Sequence, residues 1–426
     1  MLTIQTIREN RDRVIELLKI KNFDQPELID NIIEADNYRR SLQGRTNEMQ
    51  AKLNRLSKEI GVLFKRGEKE KAEEVRQRTS LLKNETEASE AELQEVSSRL
   101  NEWLVQLPNL PHPSVPPGRS ERDNKIIRQG GTVPSMPETP LPHWELGTKY
   151  KLIDFNLGVK ITGGGFPVYR GMGARLQRAL ISYFLDQNQL AGYEEFLPPL
   201  LVNEASGFGT GQLPDKEGQM YHVTGDNLYL IPTAEVPVTN IYRDVILEAE
   251  ELPIKNTAYT PCFRREAGSY GKDVRGLNRV HQFEKVEIVQ IQHPSQSYQA
   301  LEEMVLHVEK LVNSLRLPYR IVQLCGGDLS FTSALTFDFE VFAAAQQKWL
   351  EVSSVSNFES YQANRLKLRF REPGEKRTQF AHTLNGSALA LPRIMAAILE
   401  NNQSREGIHL PEVLHPYLGE GNEVIR

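Results

Sequence analysis

The run CFRREAGSYGKDVRGLNRVHQFEKVE, residues 262–287, places Arg264, Arg265, Lys272, Arg275 and Arg279 in one short segment that ends on Glu284 and Glu287. Read FRRE and QFEKVE as antiparallel strands joined by the glycine-bearing loop. Period-two alternation then puts Arg264 and Glu266 on one face of the first strand. It puts His281, Phe283, Lys285 and Glu287 on one face of the second. Where those faces coincide, a single surface carries a guanidinium, two carboxylates and an aromatic ring. A guanidinium fork binds phosphate bidentately, a carboxylate binds an ammonium, and a ring stacks a nucleobase. Such a surface suits a nucleotide beside an amino-bearing small molecule. The bland alternative is a hairpin with ordinary surface ion pairs, which contribute little.

Elements must hold that surface in place. The runs NLYLIPTAEVPVTN, NTAYTPCFRRE, VHQFEKVEIVQIQ and KWLEVSSVSNF read as strands. LEEMVLHVEKLVNSL (301–315) and ALALPRIMAAILENNQ (388–403) read as helices, and GGGFPVYRGMGARLQRALISYFLDQ as a loop entering a helix. YEEFLPPLLVN, broken by Pro198 and Pro199, reads as an edge or interface strand. Strands that pair with near neighbours, with helices intervening irregularly, predict an α+β body built on an antiparallel sheet. Gly163–Gly165 invites a phosphate-loop reading, but the G-K-[ST] ending is missing.

Ahead of the body the periodicity changes. Leu42, Thr46, Met49, Leu53, Leu56, Ile60 and Leu63 follow alternating spacings of four and three. So do Ala72, Val75, Thr79, Leu82, Thr86, Ser89, Leu93, Val96 and Leu100. This is a coiled-coil seam, and Gly67 between the runs predicts an antiparallel helical hairpin over about 27–102. At 1.5 Å per residue the arm would reach roughly 50 Å. Thr79, Thr86 and Ser89 predict a weak, flexible middle. From Arg39 to Lys83 there are 13 Lys and Arg against 6 Glu, a net of +7, so the rest of a chain of net charge -5 carries -12. A basic segment on an acidic body suits a polyanion partner, although charge runs are commonly just solvated faces. Nine of the 24 prolines fall within 105–150. Proline at that density blocks helix and central strand and predicts a wrapped linker. The expected domains are therefore 1–104, the linker 105–150, and a body over 151–426.

Length and composition narrow the class. The 426 residues, 39% hydrophobic and 25% charged, fit a soluble protein of two or three domains. No signal-peptide pattern and no 18-residue apolar run occur, so a cytoplasmic protein without a membrane partner is expected. Cys262 and Cys325 alone cannot make a four-thiolate zinc site.

The residues then reach a family. TPCFRREAGSYGKDVRGLNRVHQFEKVE resembles motif 2 of the class II aminoacyl-tRNA synthetases, and in detail that of the bacterial-type seryl-tRNA synthetases. GFPVYRGMGARLQRALISYFLDQNQLAGYEEFLPPLLVN resembles motif 1, which implies a homodimer interface. PTAEVP resembles the amino-acid loop, LEVSSVSNFESYQANRL the metal and ATP strand, and TLNGSALALPRIMAAILE motif 3. The helical hairpin resembles the family's tRNA-binding arm. The resemblance spans nearly the whole chain, and the class I signatures are absent.

It implies a class II catalytic sheet with ATP and Mg²⁺ as cofactors. L-serine, tRNA(Ser) and tRNA(Sec) are the implied partners, with no role for DNA. Arg264 and Arg393 are the implied catalytic groups, on the α- and γ-phosphates. Arg265, Glu266, Val280, Phe283, Glu351, Val352, Ser353 and Ser354 complete the implied ATP site, with Glu351 and Ser354 on the metal. Thr233, Ala234, Glu235, Glu287, Asn385 and Ser387 surround serine. Arg39, Arg45, Lys52, Arg55, Lys58, Arg76 and Arg78 are the implied tRNA contacts. Arg275 and Arg279 belong to the loop that meets ATP and the acceptor end, and His281 reads as structural rather than as a general base. Two other readings compete: a ligase loading an amino acid onto a carrier protein, which would lack the arm, and an inactive paralogue, which would have lost the motif arginines.

Overall fold

The computed structural model describes residues 1–215, 217–266 and 275–426. Lys272 and the tip of the 262–287 hairpin lie outside these. The chain forms two compact units, Met1–Lys19 with Phe23–Pro108, and Ile20–Asn22 with Asn109–Arg426.

The first unit opens with two short helices, α1 (Ile4–Glu9) and α2 (Arg11–Ile20), and continues into α3 (Pro26–Lys65) and α4 (Lys69–Leu104). Pro26 starts α3 where its missing N–H costs nothing. Gly67, at φ +76°, supplies the left-handed turn that reverses the chain. Every seam position named above is buried or half-buried, while its neighbours, Gln43 and Ser97 aside, are exposed. The helices measure about 54–60 Å at 1.5 Å per residue, slightly more than the expected reach. The polar seam residues are not left unsatisfied. Thr46 and Ser89 share a 2.7 Å hydrogen bond across the seam, and Thr79 and Thr86 donate to carbonyls one turn back. At the base, buried Asp36 lies between Arg8 and Arg39, at 3.0 and 2.7 Å.

The second unit is organised by an eight-stranded sheet. We number its strands β1 (Lys125–Gly130), β2 (Glu194–Glu195), β3 (Ile254–Phe263), β4 (Gln282–Gln292), β5 (Tyr319–Gln323), β6 (Leu335–Ala343), β7 (Lys348–Asn357) and β8 (His382–Ala390). Their spatial order is β1-β5-β6-β7-β8-β4-β3-β2, antiparallel throughout except for the short β2–β3 edge pair. Helices α5 (Met172–Leu190), α6 (Ser297–Ser314) and α7 (Leu391–Asn401) bury Phe184, Val308 and Ile394 with Phe339 and Val341 of β6 in one core. The intervening β6 residues, Asp338 and Glu340, line a cavity instead. Alternation thus gives the sheet an apolar face and a polar one.

Three local readings change. PTAEVPVTN is not strand: the strand is Leu228–Leu230, and Glu235–Asn240 is a short helix with Pro237 in its first turn, where no N–H is required. Residues 388–390 finish β8, and α7 starts at Leu391 with Pro392 in its first turn. The FRRE strand ends at Phe263. The proline-rich stretch is more ordered than its composition predicts: from Asn109 on it belongs to the second unit, contributing β1, paired with β5, and a short helix, His143–Lys149.

Candidate active site

The β3–β4 register decides whether the two faces coincide. Phe263 lies opposite Gln282 and Cys262 opposite Phe283, and Arg264 N donates to His281 O at 2.9 Å. Directly opposed residues share a face, so Arg264, Phe283, Lys285 and Glu287 do lie together. The Arg264 guanidinium stands 5.3 Å from the Phe283 ring centre and its Nε donates to Pro232 O. Glu266 reaches its place differently. Its φ of +48° breaks the alternation, and Arg279 pairs with it at 2.9 Å. Arg265 is exposed, with its main-chain N–H given to Gln219 O.

Deeper along β4, a compact polar pocket forms. Lys285 is ion-paired with Glu287 and donates to Thr233 Oγ1 at 2.8 Å. Thr233 donates to Glu287 Oε2 at 3.2 Å, and Asn385 Nδ2 reaches Glu287 Oε1 at 3.3 Å. Ser387 sits opposite Glu287 in the β4–β8 register. Glu235, 6% exposed, takes a 2.7 Å hydrogen bond from Gln362, which Thr383 orients at 2.6 Å. Among the described residues no cation is ion-paired with Glu235. Burial pushes its carboxyl up to about 7, against the pull of the Gln362 hydrogen bond. Burial also raises the Glu287 carboxyl, opposed by the Lys285 ammonium. Ala234 packs wholly into the core beside Val238, Ala258 and Val289, so only its main chain faces the pocket.

On β7, Glu351 and Ser354 are three apart, a spacing that strict alternation sends to opposite faces. The β6–β7 register slips between Phe339 and Glu340, so Ser353 faces Phe339 and Glu351 faces Glu340, with Val352 extra. This bulge turns Glu351 and Ser354 to one side. Both line a cavity of about 370 Å³ with Asp338, Glu340 and Arg279. Val352 is buried, and the Ser353 hydroxyl donates to Ser387 O at 2.6 Å, so neither side chain is offered to a ligand in the cavity. Val280 is likewise buried. Arg393, in the first turn of α7, donates to Glu351 O (2.7 Å) and Asn278 O (3.0 Å). Asp338 Oδ1 is buried with no hydrogen-bond partner, and burial, then the Glu351 charge, holds its carboxyl well above the ordinary range. An oxygen-rich lining with an orphaned carboxylate oxygen fits a hard divalent cation. Among the described residues no three His, Cys, Asp or Glu form a ready-made cage, so such a cation would draw ligands from water and substrate.

His281 is committed to packing. Its N donates to Gly165 O, its ring stacks on Phe166 at 5.3 Å, and Tyr221 OH contacts Nδ1 at 2.9 Å. A Cβ on Gly165 would lie 2.1 Å from the ring, so the glycine there serves close approach to His281.

Residues 1–111 match the seryl-tRNA synthetase N-terminal domain, and residues 221–402 match the tRNA synthetase class II core domain (G, H, P, S and T). A serine–tRNA ligase of Salinibacter ruber is 49% identical over 98% of each chain. The chain belongs to the seryl-tRNA synthetase family. Among solved structures, seryl-tRNA synthetase from Pyrococcus horikoshii complexed with ATP aligns over the whole of both chains at 33% identity and TM-score 0.91. Cytoplasmic serine–tRNA ligase from Naegleria fowleri in complex with AMP aligns over 100% of this chain and 99% of its own at 30% and 0.87.

In this synthetase the arm cations differ in their surroundings. Arg39 is tied to Asp36, while Arg76 and Arg78 pair along α4 with Glu73 and Glu74. Arg45, Lys52, Arg55 and Lys58 are exposed, and among the described residues no carboxylate pairs with them. Sequence reasoning missed Gln362, Asp338 and the pocket role of Lys285. Lys285 was within reach, since alternation already placed it beside Glu287. Nothing in the order of residues marks the other two.

Proposed function

We propose that this chain ligates L-serine to tRNA(Ser), and to tRNA(Sec), through a seryl-adenylate formed from ATP. The observation that carries the reading is the pair of buried carboxylates beside Arg264. Glu287 already has Lys285; among the described residues Glu235 has no ion-paired cation. A buried carboxylate so placed is a seat for an ammonium, and Thr233, Asn385 and Ser387 leave hydrogen-bonding atoms for a hydroxyl at the same place.

In this reading the serine carboxylate attacks the α-phosphorus in line and pyrophosphate leaves. The protein positions and stabilises charge and forms no covalent bond. Arg264 holds the α-phosphate, with its guanidinium braced by Pro232 O. Phe283 stacks the adenine, and Glu266, held by Arg279, meets its edge. Arg393 takes the γ-phosphate. Glu351, Ser354 and their neighbour Asp338 hold Mg²⁺, which neutralises phosphate charge when bound. Val352, Ser353, Val280, Ala234 and Arg265 contribute main-chain atoms. The terminal 3′-hydroxyl of tRNA then attacks the adenylate. Alanine is rejected because it leaves buried polar groups unpaired, by a factor on the order of 10⁴.

The arm binds tRNA phosphates through Arg45, Lys52, Arg55 and Lys58, with Arg39, Arg76 and Arg78 flanking, and so grips shape rather than sequence. Leu190 and Leu197, 81% and 87% exposed, with Leu201, leave the motif 1 region with bare apolar surface that supports a homodimer. No helix among the described residues is long and apolar enough to cross a membrane. The deciding experiment is ATP–pyrophosphate exchange with serine, threonine, alanine and glycine, beside charging of purified tRNA with radiolabelled serine. Serine-dependent exchange with charging is expected. Exchange without charging would favour a carrier-type ligase, and no exchange an inactive paralogue.

A further inference from the structure

Two fully buried side chains support the site from behind. His143 opens the short helix His143–Lys149, and Glu400 lies in the last turn of α7. Glu400 Oε1 accepts from the His143 main-chain N at 3.0 Å and lies 2.8 Å from His143 Nδ1. Gln346 Nε2 donates to the same oxygen at 2.8 Å. Oε2 accepts from the main-chain N of Ala345 and Gln346, at 3.1 and 3.2 Å. A carboxylate with that many donors is satisfied without a cation. Across the ring, His143 Nε2 accepts from Leu277 N at 2.8 Å. One tautomer meets both demands, with the proton on Nδ1 and the lone pair on Nε2.

The limb that His143 grips, 275–278, is the return from the hairpin tip. A Cβ on Gly276 would stand 2.2 Å from His143 Nε2, at φ +66°, so the main chain comes this close only with no side chain there. The Arg275 guanidinium lies 5.9 Å from the ring centre of Trp144, the next residue after His143. Asn278 Nδ2 donates to Gln346 Oε1 at 2.8 Å, and its carbonyl accepts from Arg393 Nε. A continuous path therefore runs from Glu400 through His143, Leu277 and Asn278 to Arg393.

We infer that His143, oriented by Glu400, is a positioning residue for ATP. It fixes the return limb so that the Asn278 carbonyl presents Arg393 to the phosphates and Arg275 rests on Trp144. The inference rests on the reading of Arg393 and Arg275 as ATP residues. His143 touches no substrate, so its effect falls on ATP and spares serine, whose pocket hangs on β4, β8 and the Glu235 helix.

The test is exchange kinetics on the full chain, with ATP and serine varied separately. His143→Phe should raise KM for ATP about tenfold or more and leave KM for serine within about twofold, since small displacements at a phosphate clamp are costly. His143→Gln keeps an oxygen able to accept from Leu277 N and should recover most of that loss. Gly276→Ala disturbs the same contact from the loop side, leaves the core intact and should reproduce the ATP-selective loss. If His143→Phe does not fold, Gly276→Ala decides. Equal shifts in both KM values, or a His143→Gln no better than His143→Phe, would overturn the inference. Failure of the unmutated chain to exchange with serine would instead overturn the functional reading, so the two failures are separable.

Discussion

Lys58 on the arm and Lys285 on the sheet carry the same ammonium in opposite settings. Lys58 is exposed and meets no carboxylate among the described residues; Lys285 has 8% of its side chain exposed, against a Glu287 with 1%. The first is left open to solvent. The second is consumed by its own pocket, where removing it strands a buried charge. The same contrast separates Arg55 from Arg264, which is held by a carbonyl and an aromatic ring. Exposed cations can supply affinity for a polyanion without affecting stability. Enclosed ones shape a site, and their loss is felt in folding and chemistry together.

That contrast is sharpest at Lys285. Lys285→Ala should cost about 3 kcal/mol of stability by leaving Glu287 unpaired, read as a fall in melting temperature. Serine-dependent exchange should drop on the order of a hundredfold or more, and a variant with normal stability and exchange would abolish the contrast. Arg55→Glu with Lys58→Glu should weaken tRNA charging on the order of tenfold and leave exchange and melting temperature nearly unchanged. Equal losses in charging and exchange would refute the separation of roles.

A smaller effect concerns Glu235, whose carboxyl burial pushes up to about 7. Serine's ammonium needs the ionised form, so KM for serine should rise up to about tenfold per unit as pH falls below 7. Glu235→Gln should lack this limb, and a wild-type KM flat from pH 8 to 6 would count against an ammonium at Glu235. The stability sign is opposite to that of a surface carboxylate. Because the folded value lies above the unfolded one, Glu235 favours folding most at acid pH, below about 4.5, and that contribution is lost as pH rises through 7. Glu235→Gln should therefore gain relative stability at pH 8 over pH 5, measured by thermal unfolding.

How far each region could be read beforehand follows from the same physics. The arm is local: a residue's face depends on spacing along one helix, so Leu42, Leu82 and Leu100 declare their burial in sequence. The β3–β4 face was legible for Arg264 and Phe283, because both strands keep step. It failed at Glu266, where a left-handed residue ends the alternation. It also failed over 235–240, where an apolar run with proline suits strand or first helical turn equally. His143 and Glu400, 257 residues apart, and Gln362 against Glu235, 127 apart, become partners only through the fold.

The bulge at Val352 makes one further demand, counted in chain length rather than in chemistry. Any residue that packs could stand there, but the count across the two strands is fixed: one residue added to β6 between Phe339 and Glu340 would pair with Val352, restore even step and turn Glu351 away from Ser354. The arm has no such bookmark. Seven residues added to α3 and seven to α4 would return each seam to its own face and yield only a longer lever. Part of this molecule is therefore written in letters, and the stretch from Glu351 to Ser354 is written in number as well.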